Sequence, residues 1–131
     1  MEMSTLEVTL HDIPPSLNNL YATIEVKGRS RRVLSSAAHD WKRTAGMIIR
    51  NAATLQQWTC ARKTPLYVEI LFASPTVLRW DLDGKTKLLI DALCEAMGLD
   101  DRYVMRLDLT KARGALEQVR MRVGTGEVTQ C

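Results

Sequence analysis

The stretch "RWDLDGKTKLLIDALCEAMGLDD", Arg79 to Asp101, decides how this chain is read. It sets five aspartates and two lysines around an apolar repeat, in a chain whose overall net charge is +3. On a helical wheel begun at Asp83 and turning about 100° per residue, Leu88, Leu89, Ile90, Ala92, Leu93, Ala96 and Met97 fill an arc of roughly 140° to 340°. The spacing therefore predicts an amphipathic helix over Asp83–Met97, closed by Gly98 at its C′ position. Lys87 and Asp91 fall at about 40° and 80°, so Asp83, Lys87 and Asp91 form one polar stripe.

Working outward, Leu6–Ile13 alternates well enough for a first strand and stops at Pro14-Pro15, which cannot continue a ladder. PPSLNN then reads as a loop. Ala22–Lys27 and Arg31–Leu34 form a ribbon turning at Gly28. Ser35 or Ser36 caps a long helix running to about Trp58, with Ala37, Trp41, Ala45, Ile48 or Ile49, Ala52 and Leu55 at helical spacing. Pro65 opens a strong strand, Leu66–Ala73. After the acidic helix, Tyr103–Lys111 and Leu116–Val123 read as a hairpin across Ala112-Arg113-Gly114, followed by a frayed tail from Gly124 to Cys131. The expected fold is α+β (mixed α/β): one domain spanning residues 1–131, a mixed sheet with two main helices, in the order β-β-β-α-β-α-β-β.

The bulk composition fits that expectation. At 131 residues, a single domain buries about two-thirds of its unfolded surface. No run of about 18 apolar residues is present, and the acidic N-terminus shows no signal-peptide pattern. Three cysteines at wide spacing point to reduced thiols and a cytoplasmic setting. Two histidines outside any Cys/His cluster speak against zinc. Charge is unevenly distributed. Residues 27–63 hold nine basic side chains (Lys27, Arg29, Arg31, Arg32, Lys42, Arg43, Arg50, Arg62, Lys63) against the single acid Asp40. A basic segment beside a separate acidic centre suits a polyanion, although a plain solvated surface would look the same.

The acidic centre has its own chemistry. In an extended D-x-D, Asp81 and Asp83 share a face about 6–7 Å apart. Two such charges at about 5 Å repel by roughly 3 kcal/mol at an effective dielectric near 20, which calls for a cation, a proton or a lysine. The Asp83–Lys87–Asp91 stripe alone is equally a salt-bridged exposed face, and "GLDD" alone is a polar turn. An EF-hand is excluded, because the twelfth residue from Asp81 is Ala92 rather than glutamate. Aspartates with a nearby lysine suit Mg²⁺ at a phosphoryl-transfer site. With the basic segment, the natural substrate is a nucleic-acid phosphodiester.

Two motif regions carry a resemblance. "PPSLNNLY" (Pro14–Tyr21) and "DLDGKTKLLIDAL" (Asp81–Leu93) with "GLDD" (Gly98–Asp101) resemble, in order and spacing, the RusA family of Holliday junction resolvases, found in bacteria, phages and prophages. The likeness runs from about Leu6 to Val123. It implies Mg²⁺-binding carboxylates at Asp81, Asp83 and Asp101, with Mn²⁺ as a substitute, and a catalytic lysine at Lys87. It implies supporting roles for Asp91 and Asp100, and Asn18 or Asn19 near the metal or the scissile phosphate. It implies that the chain returns so that Asp101 joins the D-x-D pair. It also implies a homodimer that grips branched DNA through Lys27, Arg29, Arg31, Arg32, Lys42, Arg43, Arg50, Arg79 and Trp80, and resolves four-way junctions in recombination and repair by paired symmetric nicks. A branched-DNA-binding dimer that does not cut, and a broader flap nuclease, are the alternatives. Two departures stand out: Gly84 replaces the asparagine common after the second aspartate, and only Arg79, beside Trp80, precedes the motif where a basic run is usual. Trp80 would either stack on an unpaired base or pack beside the site.

Overall fold

A computed structural model describes residues 5–15, 21–80 and 82–126. Strands β1 (Thr5–Leu10), β2 (Tyr21–Val26) and β3 (Arg29–Leu34) precede helix α1 (Ser36–Leu55). Strand β4 (Leu66–Ser74), helix α2 (Leu82–Met97), β5 (Val104–Arg113) and β6 (Gln118–Thr125) follow. This is the expected α+β order. Four strands form a mixed sheet in the order β1-β6-β4-β5, while β2 and β3 form a separate ribbon.

The sheet is built from apolar rows. Leu6, Val123 and Val68 are mutual partners across β1, β6 and β4, as are Val8, Met121 and Ile70, and Leu10, Val119 and Phe72. Parallel pairing extends these rows onto β5 at Leu107, Leu109 and Lys111. Period-two alternation sends these side chains to one face, where Ala45, Ile49 and Ala53 of α1 and Leu89 and Leu93 of α2 join them in the core. The opposite face carries Glu7, Thr9, Glu69, Asp108, Thr110, Arg120 and Arg122, all exposed.

Several expected elements shift. β1 ends at Leu10 rather than Ile13, because the next backbone groups are taken by side chains: Trp41 Nε1 donates to Asp12 O (3.2 Å) and Ile13 N to Glu117 (3.4 Å). α1 ends at Leu55 rather than near Trp58. Gln57 turns into the left-handed region (φ +53°), and Trp58 N donates back to Ala53 O at 2.9 Å. α2 closes the same way, with Gly98 at φ +65° and Leu99 N bonded to Cys94 O at 2.9 Å. Both residues beyond the stop, Trp58 and Leu99, are buried, which fastens each helix end to the core.

The expected hairpin is the largest correction. β5 and β6 do not pair; β4 lies between them, parallel to β5 and antiparallel to β6. β4 has the longest run of inward apolar residues, so burying it on both edges covers more surface than a hairpin would. The connection passes over the end of β4, where Gly114 N donates to Ser74 O at 3.2 Å. The expected ribbon forms, but its strands run to Val26 and from Arg29, so Lys27 (φ +53°) leaves the strand to share a two-residue turn with Gly28 (φ +76°), the I′ form whose twist matches paired strands. Of the expected tail, Gly124 and Thr125 belong to β6, and residues 127–131 lie outside the described chain. Among the described residues no helix is long and apolar enough to cross a membrane.

Candidate functional site

The wheel drawn on α2 is recovered in three dimensions. Leu88, Leu89, Ile90, Ala92 and Leu93 are buried. Asp83 and Lys87 are exposed and Asp91 half-buried, and Lys87 Nζ lies 3.4 Å from Asp91 Oδ2. This stripe does not merely face solvent. Asp83, Lys87, Asp91 and Asp101 line one groove of about 370 Å³, whose other wall is Val104, Leu107 and Leu109.

Topology dictates how the charges are arranged along that groove. Because β5 runs parallel to β4, α2 must travel back along the sheet before the chain reaches Asp101. Asp83 sits in the first turn of α2 and Asp101 beyond its last, so about 20 Å of helix separates them at 1.5 Å per residue. Asp83 thus stands at one end of the groove, and Asp91 and Asp101 towards the other. Asp81 and the asparagines Asn18 and Asn19 lie outside the described residues. Among the described residues, no three His, Cys, Asp or Glu side chains are placed to hold a metal ion together.

The far end of the groove is strongly negative, and Cys94 registers it. Burial pushes its thiol up to about 11, and the charges of Asp101, Asp91 and Asp100 push in the same direction. Asp100 is committed to local structure. It caps the short 3-10 turn Asp101–Tyr103 by accepting from Arg102 N (3.0 Å), and it takes the Arg102 guanidinium at 3.1 and 2.9 Å. Those bonds hold its carboxyl below the usual range. Asp100 therefore shapes the turn that presents Asp101. The groove offers carboxylate oxygens, the ligand type that Mg²⁺ takes, though no three of them converge among the described residues.

Two residues at the near end were not singled out from the sequence. Lys85 is 7% exposed, its Nζ donates to Pro14 O at 2.8 Å, and it lies 5.4 Å from the Trp80 ring. Burial pushes its pKa down, opposed by the charge of Glu117. Lys111 donates to Trp80 O at 2.9 Å and lies 5.5 Å from the same ring. Trp80 in turn meets Phe72 edge-on, centroids 5.8 Å apart at 80°. Trp80 packs beside the site as a half-buried ring between two lysines on the core. The signal for Lys85 was on the wheel, where it falls at about 200°, inside the apolar arc. Together these contacts pin Pro14 beside the start of α2.

The basic residues separate into kinds. Lys27 and Arg29 are exposed at the tip of the ribbon, with Arg31 and Arg32 further along β3, opposite Ile24 and Thr23. Arg50 and Arg79 are exposed. Arg43 pairs with Asp40 at 3.4 Å. Lys42 is a structural tie, bonded to Glu95 of α2 at 3.1 Å with its side chain only 15% exposed.

No family model matches the chain, and neither does any curated protein. Among solved structures, 2C-methyl-D-erythritol 2,4-cyclodiphosphate synthase from Plasmodium vivax is similar at 12% identity, with 95% of this chain and 96% of that chain covered and a TM-score of 0.38. A CDP-bound structure of the same synthase gives 14% identity, 95% and 99% coverage and a TM-score of 0.37. At those TM-scores the likeness carries no argument about fold or function.

Proposed function

We propose that this chain is a Mg²⁺-dependent, structure-selective endonuclease of branched DNA, cutting four-way junctions to leave 5′-phosphate and 3′-hydroxyl ends. The observation that carries the reading is the groove along α2, lined by three aspartates and a lysine in a chain bearing a basic ribbon. The motif resemblance of Pro14–Tyr21 and Asp81–Asp101 to RusA-type resolvases supports it. Asp81 and Asp83 are the residues that would hold the metal, which when bound lowers the pKa of a water and offsets charge on the phosphate. Lys87, one turn beyond Asp83, offers a cation to the charge that develops on the phosphate oxygens. Its contact with Asp91 holds that ammonium in the groove. Asp101 and Asp91 keep the far end negative. The ribbon tip and Arg50 supply phosphate contacts, which position a duplex without reading its sequence. Two symmetric cuts require two sites related by a two-fold, so the reading includes a homodimer.

A synthetic four-way junction tests it. Wild type should make paired nicks only with Mg²⁺ or Mn²⁺, and Asp83→Asn should bind the junction without cutting it. Tight binding with no cleavage by wild type under any divalent ion would make the chain a DNA-binding module instead.

A further inference from the structure

The four-stranded sheet ends in two edges, and they are not alike. On β1 the side-chain amide of Gln56 accepts from Glu7 N (3.0 Å) and donates to Glu7 O (2.7 Å), occupying the place a neighbouring strand would take. On β5, which pairs only with β4, Val104 N–H turns back to Asp101 O, and beyond it no described group bonds to the outward side. That edge also exposes Met105 (57%) and Leu107 (41%). An uncovered strand of ten residues with apolar side chains is a template for pairing with another chain.

We propose that β5 is the homodimer surface, pairing antiparallel with β5 of a second copy about a two-fold through Leu107. The homodimer belongs to the nuclease reading; the surface is new, and its test uses no DNA. The register follows from symmetry and charge. A two-fold perpendicular to the sheet keeps each face on its own side, so residues opposite one another must share a face and the axis must pass through a residue. An axis at Arg106 sets arginine against arginine, and one at Asp108 sets aspartate against aspartate. An axis at Leu107 sets Arg106 against the partner's Asp108 twice, and leucine against leucine on the groove side. Arg106 and Asp108 already share a face, with 3.1 Å between Nε and Oδ2. Met105 is the extra residue of an irregularity, since Leu66 faces Val104 while Tyr67 faces Arg106. The regular ladder is therefore short and centred on Leu107.

Sedimentation of the whole chain tests this with a charge swap. Wild type should be a dimer. Arg106→Asp and Asp108→Arg each set like charges opposite one another at two places, and each should raise the dimer Kd by about tenfold or more. The double variant restores opposite charges and should return the Kd to near the wild-type value. Circular dichroism melts establish that each variant is folded. Leu107→Glu, which puts two like charges on the axis, is a second route to the monomer if a single variant fails to fold. A monomeric wild type at about 100 µM, single variants with unchanged Kd, or a double variant that stays monomeric would each overturn the proposal. A dimer of this behaviour that cuts no DNA would sink the nuclease reading and leave the surface standing.

Discussion

Lys85 and Lys87 stand two residues apart and have opposite surroundings. Lys87 lies on the polar stripe, where the wheel placed it. Lys85 is buried against Trp80 with its ammonium on Pro14 O, and helical spacing marked it only as a cation on the apolar arc. Spacing can say that such a residue is out of place; it cannot say which carbonyl will satisfy it, because Pro14 is 71 residues away. Cys94 offers a measurement at the same scale. A thiol raised from 9.0 to about 11 is about 0.1% ionised at pH 8 instead of about 10%, and the thiolate is the reactive form. In a Cys60→Ser, Cys131→Ser background, Cys94 should alkylate at pH 8 at least about a hundredfold more slowly in the folded chain than in urea. Asp101→Asn removes a neighbouring negative charge and should speed the folded reaction. Because the folded value lies above the unfolded one, the stability this thiol contributes is complete below pH 9.0 and is lost as pH rises to about 11.

At the scale of elements, what was legible was whatever repeats locally. Both helices and all six strands stand in the expected order, since periods of 2 and 3.6 are written into the apolar positions. The pairing was not legible. A short turn between two strand patterns reads as a hairpin whether the chain folds back beside its own strand or crosses over another, and β5 and β6 do the second. The helix ends give a matched pair of predictions. Gly98 adopts its positive φ with nothing within 4 Å of the place a Cβ would take, so Gly98→Ala should lose about 1 kcal/mol, from the backbone alone. Gln57 bears that same cost now, and Gln57→Gly should recover part of it. Urea unfolding of the two variants checks both signs.

At the scale of the molecule, the sheet order decides where the acidic residues stand. Of the five aspartates in one short stretch, the parallel β4–α2–β5 crossover sets Asp83 and Asp91 along the helix and Asp101 in the turn beyond its end. No local pattern carries that information, because it depends on which strand lies between which.

The Gln56 amide over Glu7 has a last consequence, for growth rather than for fold. Copies that each offer one open strand edge finish their association when two have met. Copies that offer two can add without limit, and the product is a fibre. By standing in for a missing strand, one glutamine makes this chain a terminator at that edge. Gln56→Ala should return the Glu7 backbone to the solvent, and light scattering should then rise with protein concentration beyond any plateau that wild type reaches.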